Sequence, residues 1–91
     1  MHPGEILREE FLMPLGLSAG SVAKAAGIPR TRIERIMREE TAISADTALR
    51  LGRVFGMSAD FWMNLQSRFD LQTAARRAGT ELAAIKVLRA A

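Results

Sequence analysis

Serine and glycine punctuate this 91-residue chain at helical intervals, and that spacing constrains its fold more than any other feature. Ser18, Ser44 and Ser58 each precede a mixed apolar and polar run that stops at Gly27, Gly56 and Gly79 respectively. A serine hydroxyl satisfies the free N–H groups where a helix starts, and glycine takes the left-handed conformation that ends one. Prolines mark two more starts. Pro3 opens a first helix, with Ile6, Leu7, Phe11 and Leu12 on its apolar side, that closes between Pro14 and Gly16. Pro29 opens a third helix, running to about Arg38.

The second helix spans Ala19 to Ala26, and the fourth follows Ser44 with Ala48, Leu49, Leu51, Val54 and Phe55 as its apolar face. The fifth runs from Ser58 to about Arg77, and Thr80 caps a last helix that ends near Arg89. Asp46 and Asp60 stand in first turns, where the helix dipole favours a negative charge. β-Branched residues never alternate with polar ones, so no strand is expected. The chain reads as all-α.

Several function classes are excluded early. There is no cysteine, which removes disulfides and thiolate metal sites. His2 is the sole histidine and has no partner set for zinc, so no metal site or cofactor is expected; capping or packing suits it better. Glu9 and Glu10 are adjacent, so on a helix they diverge by about 100° and form no acid–base pair. No nucleophile triad or phosphate loop is present, and the chain is not read as an enzyme. Met1 to Glu5 lacks the basic-then-apolar pattern of a signal peptide, and no apolar run approaches the roughly 20 residues of a membrane span. The expectation is a soluble cytoplasmic protein of one small domain. Met13, Met37, Met57 and Met63 read as gap-filling core.

Charge is concentrated rather than large. The formal net charge is +3, and the nine residues from Arg30 to Arg38 carry four arginines against Glu34 alone. This stretch lies within the segment from Ala19 to about Arg38, which has the spacing of a helix-turn-helix. Val22 and Ala26 form the buried stripe of its first helix, and Ala23 is small where the next helix crosses. Gly27 turns the chain, Ile28 plugs the turn, and Ile33 and Ile36 face inward on the second helix. Arg30, Thr31, Arg32 and Arg35 are left on its outer and N-terminal surface, the part of a recognition helix that meets base edges.

Arg32 and Arg35 are the candidates for base contacts, since an arginine fork pairs bidentately with guanine. Arg30 suits a base or a phosphate, and Thr31 a thymine methyl or a phosphate oxygen. Ser18 and Ser21 offer hydroxyl and backbone donors to phosphate, and Arg38 adds a further phosphate contact. Arg50 and Arg53 read as a solvated helix face.

Three blocks flanking this motif carry a family resemblance. They run from His2 to Phe11 (HPGEILREEF), from Ala45 to Leu51 (ADTALRL) and from Asp60 to Gln66 (DFWMNLQ). Together they resemble the HigA antitoxins, members of the Xre-type, lambda-repressor-like helix-turn-helix group also labelled virulence-associated protein I. The resemblance covers residues 2 to 78. It implies a five-helix core with a helix-turn-helix over residues 1–78, and a C-terminal helical extension over 79–91 that the resemblance does not explain. It also implies a homodimer that represses its own operon at an inverted-repeat operator in double-stranded DNA. A further implied role is neutralising a HigB toxin of the RelE type, an mRNA-cleaving ribonuclease.

Two positions depart from the family pattern. Arg38-Glu39-Glu40-Thr41 replaces a frequent Asn-Gly-Lys turn, and Ala19 replaces a polar residue at the start of the second helix. Phe61, Trp62, Leu65 and Phe69 fall near one face of the fifth helix and suit either core or a dimer seam equally. Two other functions fit the same residues: a stand-alone regulator without a toxin, and an interaction module that has lost DNA binding.

Overall fold

The computed structural model describes residues 1–89 and places five main helices around one core, followed by a short sixth. Helix α1 is composite: α-helical over Pro3–Ile6, π-helical over Leu7–Leu12 and α-helical over Met13–Leu15. Helix α2 is Ala19–Ala26, α3 Arg30–Met37, α4 Ala45–Phe55, α5 Ala59–Arg77 and α6 Gly79–Ala83. The three expected serine caps are present, whereas Thr80 lies inside the last helix and does not cap it. Ser18, Ser44 and Ser58 each accept a backbone N–H from the first turn that follows.

The π-helical stretch has no counterpart in the sequence reading. Residues five apart on an α-helix diverge by about 140°, whereas a wider turn stacks them on one face. Leu7 and Leu12 are accordingly both buried. Pro14 follows directly, and a proline there lacks the N–H that regular bonding back to Glu10 requires. The chain widens over the turn that precedes it.

The core joins Leu7 and Leu12 of α1, Val22 and Ala23 of α2, Ile33 and Ile36 of α3, Ile43 of the following loop, Ala48 and Leu51 of α4, and Trp62 of α5. The inward residues expected of the motif are therefore inward. Trp62 is 0% exposed within the single chain, with the rings of Phe11 and Phe61 4.9 and 5.1 Å from its own. Core packing claims it, and it has no surface left for a dimer seam. Two further expectations are corrected. Leu49 and Met13 are 62% and 65% exposed, because each lies on the solvent side of its helix.

The last helix also ends earlier than expected, at Ala83 rather than near Arg89, and no side chain caps its start. Leu82, Ile85, Val87 and Leu88 are exposed, so no packing supports further helix.

Four helices close in the same way. A residue with left-handed φ is followed by an N–H that bonds the carbonyl five residues back: Leu17 to Leu12, Ile28 to Ala23, Glu40 to Arg35 and Met57 to Gly52. Glycine supplies the left-handed residue at positions 16, 27 and 56, but at the end of α3 it is Glu39, with φ 63°. A side chain in this conformation costs about 1–2 kcal/mol. Arg8 partly compensates, standing 3.6 Å from the Glu39 carboxylate and donating to the Met37 carbonyl.

The start of α1 lies against the same helix end. A Cβ added at Gly4 would fall 1.8 Å from the Ile36 carbonyl oxygen, so only glycine permits this approach. His2 caps α1, its Nδ1 accepting the Gly4 N–H at 2.9 Å while its ring meets Phe69 edge-on at 4.8 Å. Burial holds the His2 pKa below its ordinary value, aided by the N-terminal amine; Glu39, Asp70 and a hydrogen bond with the Thr41 backbone oppose it.

Two stability predictions follow from these contacts. Glu39→Gly relieves the left-handed strain, less glycine's greater freedom in the unfolded chain. The net gain is about 0.5–1 kcal/mol, a rise in thermal midpoint of about 3–6 °C. A lower midpoint would mean that the pairing with Arg8 outweighs the strain. His2 contributes stability fully above its unfolded pKa of about 6.5, and loses it as pH falls through the lower folded value, because the unfolded chain takes up the proton first. His2→Asn caps without titrating. Between pH 7.5 and 5 the wild-type midpoint should therefore fall further than that of His2→Asn, and parallel curves would refute the assignment.

Candidate nucleic-acid interface

Helix α3 has one buried side and one exposed side. Ile33 and Ile36 are 0% and 1% exposed, and that fixes the rotation of the helix so that Arg30, Thr31, Arg32, Arg35 and Arg38 all reach solvent. Thr31, Arg32 and Arg35 form one wall of an open cleft of about 480 Å³, and Thr41, Ala42 and Ser44 form the other. The second wall is the loop after α3 and the cap of α4. It went unnoticed in the sequence because these residues carry no charge and reach the site only through the fold.

That loop is pinned from beneath by a buried polar link. The Oε1 of Gln66, on α5, accepts the Ile43 N–H at 2.8 Å, and its Nε2 donates to Asp70 Oδ1 at 2.9 Å. Gln66 is only 5% exposed, so both ends of its amide are satisfied inside the protein, where an unpaired group would be costly.

The arginines differ in their surroundings. Arg30 Nε lies 3.6 Å from Glu34, one turn on. Arg32 Nη1 donates to Asp46 Oδ2 at 3.2 Å. Arg35 and Arg38 have no ion-pair partner among the described residues. Ser18 and Ser21 are engaged with each other: each hydroxyl accepts the other's backbone N–H at 3.1 Å. The donors left at the start of α2 are the N–H groups of Ala19 and Gly20, which no carbonyl of their own helix reaches.

Arg50 does not occupy a solvated face. It spans from α4 to the end of α2, donating from Nη1 to the carbonyls of Ala26 at 2.8 Å and Gly27 at 3.4 Å, while its Nε pairs with Asp46 at 3.0 Å. The four-residue spacing of Asp46 and Arg50 was a visible sign of their pairing; the reach across 24 residues to Ala26 was not.

Away from this face, Phe61 is 38% exposed, and with Leu65, Asn64 and Arg68 it lines a shallow groove of about 220 Å³ on α5. Phe69 is half-buried against His2. Among the described residues no group of three His, Cys, Asp or Glu side chains is placed to hold a metal ion, and no helix is long and apolar enough to cross a membrane.

Comparison with known proteins identifies the fold. A helix-turn-helix family model matches residues 7–62. Virulence-associated protein I of Dichelobacter nodosus is 55% identical over 74 residues, covering 81% of this chain and 68% of the relative. Antitoxin HigA-1 of Vibrio cholerae is 31% identical over 85 residues, covering 93% of this chain and 80% of that one. A Pseudomonas aeruginosa antitoxin HigA, solved with the higBA promoter, superposes with a TM-score of 0.93 at 47% identity and covers 98% of both chains. The alignments span 61 to 68% of the length of the first curated relatives. The chain belongs to the HigA antitoxin family of Xre-type helix-turn-helix proteins.

Proposed function

We propose that this protein is a dimeric antitoxin that represses its own operon, docking the N-terminal half of α3 in the major groove of an inverted-repeat operator. One observation carries the reading: Arg32 and Arg35 are exposed on α3 and border a polar cleft, and Arg30 is exposed on the same helix, while Ile33 and Ile36 lock its inner side into the core. A similar antitoxin solved with the higBA promoter supports DNA binding by this fold. Arg35 has no ion-pair partner among the described residues and is the first candidate for a guanine contact. Arg38 and the free N–H groups at the start of α2 hold phosphates on either side.

A second copy covers the exposed Phe61 and Leu65 groove on α5, setting two recognition helices about 34 Å apart for half-sites one turn of DNA apart. The antitoxin role rests on family membership, and the partner is a RelE-like toxin. The exposed apolar side chains of Leu82, Ile85, Val87 and Leu88 provide further surface for protein contact.

Fluorescence anisotropy on the DNA upstream of the gene tests the repressor role. Wild type should prefer that duplex to a shuffled one, with affinity falling steeply as salt rises. Arg35→Ala should lose about 1–3 kcal/mol on the specific duplex and much less on the shuffled one. No preference in the wild type would sink autoregulation and leave a partner-binding module. Light scattering at micromolar protein should give the mass of a dimer; a monomer mass would contradict the two-fold operator reading.

A further inference from the structure

One carboxylate joins the recognition helix to the turn that positions it. Asp46 Oδ2 accepts from Arg32 Nη1 of α3 at 3.2 Å and from Arg50 Nε of α4 at 3.0 Å. Arg50 in turn donates to the Ala26 and Gly27 carbonyls at the end of α2. The result is a continuous link from α2 through α4 to a side chain on the DNA-facing side of α3. The three groups are half-exposed, so the link adds little to stability. Its effect must be sought elsewhere.

A carboxylate beside a DNA-binding face repels every phosphate nearby, whatever the sequence. An untethered arginine has the opposite fault, because it reaches any phosphate within the length of its side chain. Holding Arg32 by Nη1 restrains its many rotamers and leaves the Nε and Nη2 edge free as a donor pair. A guanidinium fixed in this way loses less entropy on meeting one base edge and is less able to settle on the backbone.

We propose that Asp46 is a positioning residue for sequence discrimination: it aims Arg32 at a base and lowers affinity for DNA in general. The proposal rests on Arg32 facing DNA. The test is anisotropy on the upstream duplex and a shuffled duplex of equal length, using the full chain. Wild type, Asp46→Asn, Arg32→Ala and the double variant are compared, with thermal melts to show that each is folded.

Asp46→Asn should bind the shuffled duplex about threefold more tightly, and its preference for the upstream duplex should fall about three- to tenfold. In the Arg32→Ala background the same change should leave the preference unaltered, since there is no arginine left to aim. Asp46→Glu keeps the charge and should recover part of the preference, which an effect on folding alone would not do. An equal gain on both duplexes overturns the proposal, making Asp46 a source of repulsion only. If Arg32→Ala leaves wild-type preference intact, the assignment of Arg32 fails, and the role of Asp46 fails with it.

Discussion

Contacts converge on the carbonyl end of α3, and the direction in which its arginines point depends on them. Three sets of contacts meet there. Gly4 brings the start of α1 against the Ile36 carbonyl, Arg8 donates to Met37, and Glu39 and Glu40 turn back to bond Ile36 and Arg35. Gln66 then holds the loop that leaves the helix. The opposite end of α3 is exposed and carries Arg30 and Arg32, the second held by Asp46. A helix fixed at its carbonyl end presents its other end in a constant direction. Electrostatics favours the same polarity: a cation such as Arg8 suits the negative end of the helix dipole, and the positive end is left toward an anionic duplex.

What was legible in the sequence was mostly local. The turn at Gly27, the buried stripe of Val22 and Ala26 and the inward Ile33 and Ile36 all follow from spacings of three to six residues, so the motif and its exposed arginines were readable. Contacts that cross the chain were not. Arg50 looked like a surface arginine because its carbonyl partners lie 23 and 24 residues earlier, and Gln66 looked unremarkable because Ile43 lies 23 residues before it. Trp62 was ambiguous for a related reason: composition does not say whether an aromatic ring meets its own chain or another, and three phenylalanines of this chain enclose it. The end of the chain misled in the opposite sense. Leu82, Ile85 and Leu88 have helical spacing, but a periodic pattern makes a lasting helix only where a surface receives it.

Glu39, Glu40 and Asp46 place negative charge beside the arginines of α3. In the sequence, Glu39 and Glu40 depart from the family's turn and add repulsion near phosphates, whereas Asp46 reads as a first-turn acid suited to the helix dipole. In the structure at least two of them serve the geometry: Glu39 closes α3, and Asp46 joins Arg32 to Arg50. Their electrostatic penalty is also selective. Binding to random DNA is almost entirely phosphate attraction, whereas binding to a chosen site adds base contacts that a nearby carboxylate barely opposes. Acids at the rim therefore weaken the competing reaction more than the desired one. A repressor with a modest positive patch must find one operator among a great excess of other DNA, and the ratio of the two affinities matters more to it than either alone. The carboxylates around α3 are therefore compatible with a DNA-reading face and, on the role proposed for Asp46, would bias it toward discrimination over tight binding.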